Sequence, residues 1–218
     1  MTSQAPYIYF IILNILVSLK VYSTRNVDFP YLKTFPLFLL LTLGVEFLGN
    51  YLSSAGFHNV ILYNLFSILG CCYFQWLISR MISSRKVKNL IRVTIAGYII
   101  ISLANMYLFQ TDGFLTVTYS LGCLLAVAEC IYFFLELFRN PKAVNLISNP
   151  NFWICSAVLF WYSSTFPLYG YINYWSKISR LVVVNFESIV TILNIFFYSL
   201  FTIAFLCMKP RKYISSPL

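Results

Sequence analysis

The sequence predicts an all-α protein: a polytopic membrane helical bundle of seven transmembrane helices, N-terminus out and C-terminus in. Three observations predict it. Hydrophobic residues make up 60% of the 218 positions, charged residues 10%, and the mean hydropathy is +0.79, far from the composition of a soluble domain. Apolar runs, each close to the roughly 20 residues that a helix needs to cross hydrocarbon, recur along the whole chain. The basic residues are distributed very unequally between the connections that separate those runs.

The runs fall at about 7–23, 33–54, 59–82, 90–109, 114–138, 152–172 and 183–207. They are continuous rather than alternating, so they read as helices and not as barrel strands, and a helix satisfies its own backbone groups in lipid. No Lys or Arg precedes Lys20 and no small-residue cleavage site follows, so the first run is expected to be a retained helix rather than a secretory signal. The sixth run, "NPNFWICSAVLFWYSSTFPLYGYI", carries Pro167, which removes a backbone hydrogen bond and predicts a kink just past Trp161 and Tyr162.

With the first run passing from outside to inside, the inner connections hold Lys20, Arg25, Lys33, Arg80, Arg85, Lys86, Lys88, Arg92, Arg139 and Lys142, and the tail adds Lys209, Arg211 and Lys212. Lys177 and Arg180 alone face outward, so thirteen of the fifteen basic residues share one side. That bias sets orientation during insertion and favours an anionic inner leaflet as a partner. The net charge of +9 therefore reports topology, and nucleic-acid binding is not expected.

The 218 residues form one transmembrane domain, because no connection is long enough to bury a core of its own. All six cysteines, Cys71, Cys72, Cys123, Cys130, Cys155 and Cys207, fall inside the runs and do not form an extracellular disulfide framework. The chain has no H-E-x-x-H, G-x-S-x-G or P-loop motif, and a single histidine does not build a zinc site, so neither an enzyme nor a cofactor is expected. The seventh run has no lysine for a retinal Schiff base.

Polar residues within the runs fall in stripes. On the second run Thr42, Glu46, Asn50 and Ser53 repeat at helical spacing with Gly49 beside them; on the seventh, Glu187, Thr191, Asn194, Tyr198 and Thr202 do the same. Each stripe is expected to face the bundle interior. A charge at mid-membrane costs at least about 2.5–3.5 kcal/mol, whereas Asn or Ser costs less and commonly just ties helices together. Asn14, Asn64, Asn105 and Asn194 are accordingly read as interhelical hydrogen-bonding residues. For Glu46 and Glu187 two readings stay open, a functional site and structural pairing. The first places them in one outward-opening cavity with Asn50, Thr191, Asn194 and a wall of Trp161 and Tyr162 that takes a ligand or proton. Glu129 follows Gly122 and Ala126 at small-residue spacing, which predicts a close helix contact and a possible relay position. His58 on the outer turn is a possible pH-sensitive group, and Glu136 beside Arg139 is expected either to form a surface ion pair or to snorkel to the interface. Tyr7, Tyr9, Tyr107, Tyr171, Tyr174 and Trp175 read as interface anchors.

The span order, the short tails and the segment "FWICSAVLFWYSST" after an Asn-Pro lead-in resemble a group of small, uncharacterised bacterial seven-span membrane proteins. More loosely, the chain is similar to the seven-helix sensory regions of histidine kinases. That resemblance implies a sensory module of the cytoplasmic membrane. With no kinase fused, it implies a separate cytoplasmic signalling protein, docked on Arg80, Arg85, Lys86, Lys88 and Arg92; lipid contact is the other reading of that basic loop. A solute or proton transporter using Glu46, Glu129 and Glu187 is the alternative function, and a structural subunit is the third.

Overall fold

The computed structural model describes residues 6–23, 29–109, 113–139, 146–170 and 180–208. Arg25, Lys142, Lys177, Lys209, Arg211, Lys212, Tyr171, Tyr174 and Trp175, all used in the sequence reading, lie outside these residues.

Among the described residues all the regular secondary structure is helical. The helices are α1 (Tyr7–Ser18), a short continuation α2 (Lys20–Ser23), α3 (Phe35–Ser54), α4 (Val60–Met81), α5 (Arg85–Leu108), α6 (Thr116–Arg139), α7 (Pro150–Gly170) and α8 (Arg180–Leu206). A 3-10 turn, Pro30–Thr34, leads into α3, and another, Leu146–Ser148, precedes α7. The start of α7 follows from its sequence. Asn149 accepts the Asn151 N–H at 3.0 Å and Pro150 takes the first helical position, where its missing N–H leaves nothing unpaired. The helix then runs through Pro167 to Gly170.

Five segments are long and apolar enough to cross a membrane: Pro30–Ser54, Val60–Met81, Arg85–Leu108, Thr116–Arg139 and Val184–Leu206. The first and sixth expected spans both form helices but fall short of that standard. The apolar stretch Tyr7–Tyr22 is shorter, and α7 interrupts its apolar residues with Asn151, Ser156, Ser163, Ser164 and Thr165.

Neighbours in the chain are neighbours in space, and α1 packs on α8, so the seven long helices close a ring in chain order. Helix α4 also touches α6 and α7, which draws it toward the middle. Successive helices run antiparallel. On α6 and α7, Tyr119 bonds Thr165 while Phe134 meets Phe152; on α7 and α8, Tyr169 meets Phe186 while Phe160 meets Phe196. The core is aromatic, with Phe35, Phe74, Phe197 and Phe201 in edge-on and stacked contact at 4.4–6.0 Å between α3, α4 and α8. Of the nine described basic residues, eight (Lys20, Lys33, Arg80, Arg85, Lys86, Lys88, Arg92 and Arg139) gather at one end of the bundle, and Arg180 lies at the other.

Asn50 corrects the stripe expected on α3. Its buried line is Phe35, Leu39, Thr42 and Gly49, with Glu46 partly covered beside it, while Asn50 and Ser53 are exposed. Steps of four on a 3.6-residue helix drift by about 40° each, so two such steps from Thr42 carry Asn50 well off the buried line. Three of the asparagines also divide. Asn14 bonds across to the Tyr198 carbonyl at 2.8 Å and Asn64 reaches another connection, whereas Asn194 bonds the Val190 carbonyl of its own helix at 3.0 Å.

Candidate functional site

Glu46 sits eight residues, about 12 Å, in from the end of α3 that is remote from the basic loops. The Tyr7 hydroxyl, at the start of α1, donates to its Oε2 at 2.9 Å. The Tyr63 hydroxyl of α4 lies beside the same carboxyl group. Tyr63 can reach it because Gly49 has no side chain; a Cβ there would meet the ring Cζ at 2.8 Å and the hydroxyl closer still. Tyr169 of α7 and Tyr198 of α8 lie within electrostatic range of Glu46. One carboxyl group is thus bonded by a phenol from α1 and faced by phenols from three more helices, so five helices converge on it.

Glu187 is placed differently. Asn14 of α1 lies level with Tyr198 of α8, and these two helices run parallel in the alternating ring, so Tyr7 lies level with Thr191. Glu187 is one turn, about 6 Å, farther from the basic end, and it is exposed. Tyr7 and Tyr63 are the hydroxyls next to Glu46. Thr191 and Asn194 are half-buried and Asn50 is exposed. Trp161 stacks on Phe197 with centroids 4.9 Å apart, and Tyr162 is fully covered in mid-bundle against Phe74 and Cys71. The structure therefore brings Glu46 together with tyrosines and leaves Asn50 and Glu187 exposed. His58, Arg80, Arg85, Lys86 and Arg92 are exposed and Lys88 is half-buried.

Below Glu46 the interior continues as a column of phenols and thiols. Tyr169 packs on Tyr119 at 5.2 Å, and the Tyr119 hydroxyl donates to Thr165 Oγ1 at 2.8 Å. Cys123 and Cys71 follow, the latter faced by the Tyr98 and Tyr162 hydroxyls. Glu129 lies in electrostatic range of Cys71. It is 8% exposed, and its Oε2 has no hydrogen-bond partner among the described residues; nor do both polar atoms of fully buried Gln75. Helices α4 and α6 are in parallel register, with Asn64 beside Leu115 and Cys71 beside Gly122, which sets Gln75 level with Ala126 and one turn from Glu129. At the basic end Glu136 accepts the Ser83 N–H at 3.1 Å to both carboxylate oxygens, tying the α4–α5 connection to α6. This replaces the surface pairing with Arg139 that its position suggested.

The tyrosine partners of Glu46 were missed because Tyr7 reads as an interface anchor and Tyr63 as one aromatic among many. The glycine one turn after Glu46 was the available signal. Tyr7→Phe is expected to lower stability by about 1–3 kcal/mol, as for a hydrogen bond to a carboxyl group. Thermal unfolding in detergent checks this, and the loss should largely vanish in a Glu46→Ala background.

No protein-family model, curated protein or solved structure matches the chain.

Proposed function

We propose that this protein is a seven-span, receptor-like module of the cytoplasmic membrane, N-terminus out, whose input site is the Glu46 carboxyl group. The observation that supports this is the pair of phenols from two other helices at that group, Tyr7 bonded to it and Tyr63 beside it. A proton or a small cation arriving at Glu46 changes what the carboxyl can accept, and the hold on α1 and α4 loosens or tightens with it. Helix α4 carries Tyr63 and, about 27 Å along, leads into the connection whose Ser83 is tethered to Glu136. The output is then the attitude of the basic segment Arg85, Lys86 and Lys88 toward a separate signalling protein.

The buried, unpartnered Glu129 and Gln75 favour a second reading, transport of a proton or small solute down the column from Glu46. Two measurements on protein in lipid nanodiscs and liposomes separate these. Under the receptor reading Glu46→Gln changes amide hydrogen exchange across 82–92, remote from the substitution, and liposomes show no flux that depends on Glu46. Unchanged exchange at 82–92 sinks the receptor reading, and proton or solute flux abolished by Glu46→Gln replaces it with transport.

A further inference from the structure

On the outside of the bundle α4 and α5 leave a groove of about 430 Å³, lined by Leu69, Cys72, Tyr73 and Trp76 from α4 and by Arg92 and Ile95 from α5. The groove is shallow and open, and its lining is hydrocarbon and aromatic apart from one guanidinium. Both helices are long and apolar enough to cross a membrane, so the groove opens where acyl chains would lie. Arg92 is seven residues, about 10 Å, in from the basic end of α5. Arg92 opens the apolar run of α5, so its guanidinium stands where headgroup meets hydrocarbon and can meet an anion or water there. Its Nη1 donates to Asn89 Oδ1 at 3.3 Å, and a guanidinium has five donors in all. No carboxylate lines the groove. One turn beyond Trp76, exposed Arg80 stands over the indole with its guanidinium carbon 5.9 Å from the ring centroid, so a second cation is held at the same end.

We propose that this groove is a binding site for one anionic glycerophospholipid: an acyl chain lies along Leu69, Cys72 and Ile95, and the phosphodiester is held by Arg92 with Arg80 beside it. The charge complementarity is specific. Guanidinium groups present paired donors that match phosphate oxygens, whereas a zwitterionic headgroup brings a trimethylammonium or ammonium toward the same two cations. The tryptophan between them closes the apolar groove at the level where headgroup meets chain. The inference is independent of the role of Glu46.

Native mass spectrometry of protein released from nanodiscs of equal phosphatidylglycerol and phosphatidylcholine tests it. The wild type is expected to retain one phosphatidylglycerol in preference to phosphatidylcholine. At roughly fivefold for each arginine near a membrane surface, Arg92→Gln and Arg80→Gln should each lower that preference about fivefold and the pair about thirtyfold. Leu69→Trp, which fills the groove and leaves both arginines, should also abolish retention. Arg85→Gln/Lys86→Gln/Lys88→Gln should leave it within about twofold. Equal retention of the two lipids overturns the proposal, as does retention unaffected by the arginine pair or by Leu69→Trp. Loss in the triple variant equal to that in the arginine pair would show a diffuse basic surface and overturn it as well. Far-ultraviolet circular dichroism on each variant establishes that helix content is kept.

Discussion

Asn64→Leu is expected to cost about 2–5 kcal/mol and to loosen the α5–α6 connection. Asn64 is 3% exposed and its side chain does the work of two backbone partners. Its Nδ2 donates to the Gly113 carbonyl at 3.0 Å, and its Oδ1 accepts the Leu115 N–H at 3.1 Å. Gly113 has φ +103°, in the left-handed region that a glycine enters readily, so the chain turns at that point directly onto α4. Leucine branches at Cγ as asparagine does and is the larger of the two, so the loss does not come from a cavity. It comes from leaving a carbonyl and an N–H buried without partners, at about 1–3 kcal/mol each. Thermal unfolding in detergent measures the loss, and amide exchange at Leu115 locates it. A change near 0.6 kcal/mol, the average for side-chain hydrogen bonds between membrane helices, would mean that the connection finds other partners and that Asn64 does not pin it.

The helices were legible because apolar length and breaks between runs are local properties. The Asn149-Pro150 start of α7, the turn after Ser54 and the basic stretch after Met81 all sit where composition changes. The partners within the bundle were not legible. Tyr7 and Glu46 are 39 positions apart and Asn14 and Tyr198 are 184 apart, and no spacing along one helix says which face of another it meets. Glu46 and Glu187 looked equivalent as acids on polar stripes. They differ because one lies beside the buried line of α3, level with Tyr7, and the other lies a turn beyond that level on an exposed face of α8. The interval Gly122, Ala126, Glu129 did announce a close approach, and Ala126 and Glu129 are buried there. What the interval could not announce is that the neighbours are a phenol from α5 and a thiol from α4.

Gly122→Ala is expected to cost about 1–3 kcal/mol, and Gly122→Val more, through overpacking. A Cβ at this position would lie 2.7 Å from the Tyr98 hydroxyl, 2.8 Å from Cys71 Sγ and 3.0 Å from Tyr98 Cζ. Tyr98 is 1% exposed and Cys71 is fully buried, so neither can swing into open space to accommodate it. The strain falls where α4, α5 and α6 meet and where the column below Glu46 passes from Tyr119 to Glu129. Tyr98→Phe removes the hydroxyl and Cys71→Ala the sulfur, the two nearest of the three atoms, each at its own cost. Gly122→Ala combined with both should therefore be less destabilising than the three losses added together, since the added methyl then occupies space that the hydroxyl and sulfur have left. Thermal unfolding of the single variants and the combination measures that coupling. Strict additivity would mean that α6 does not approach its neighbours this closely, and the continuity of the column through Cys71 would fall with it.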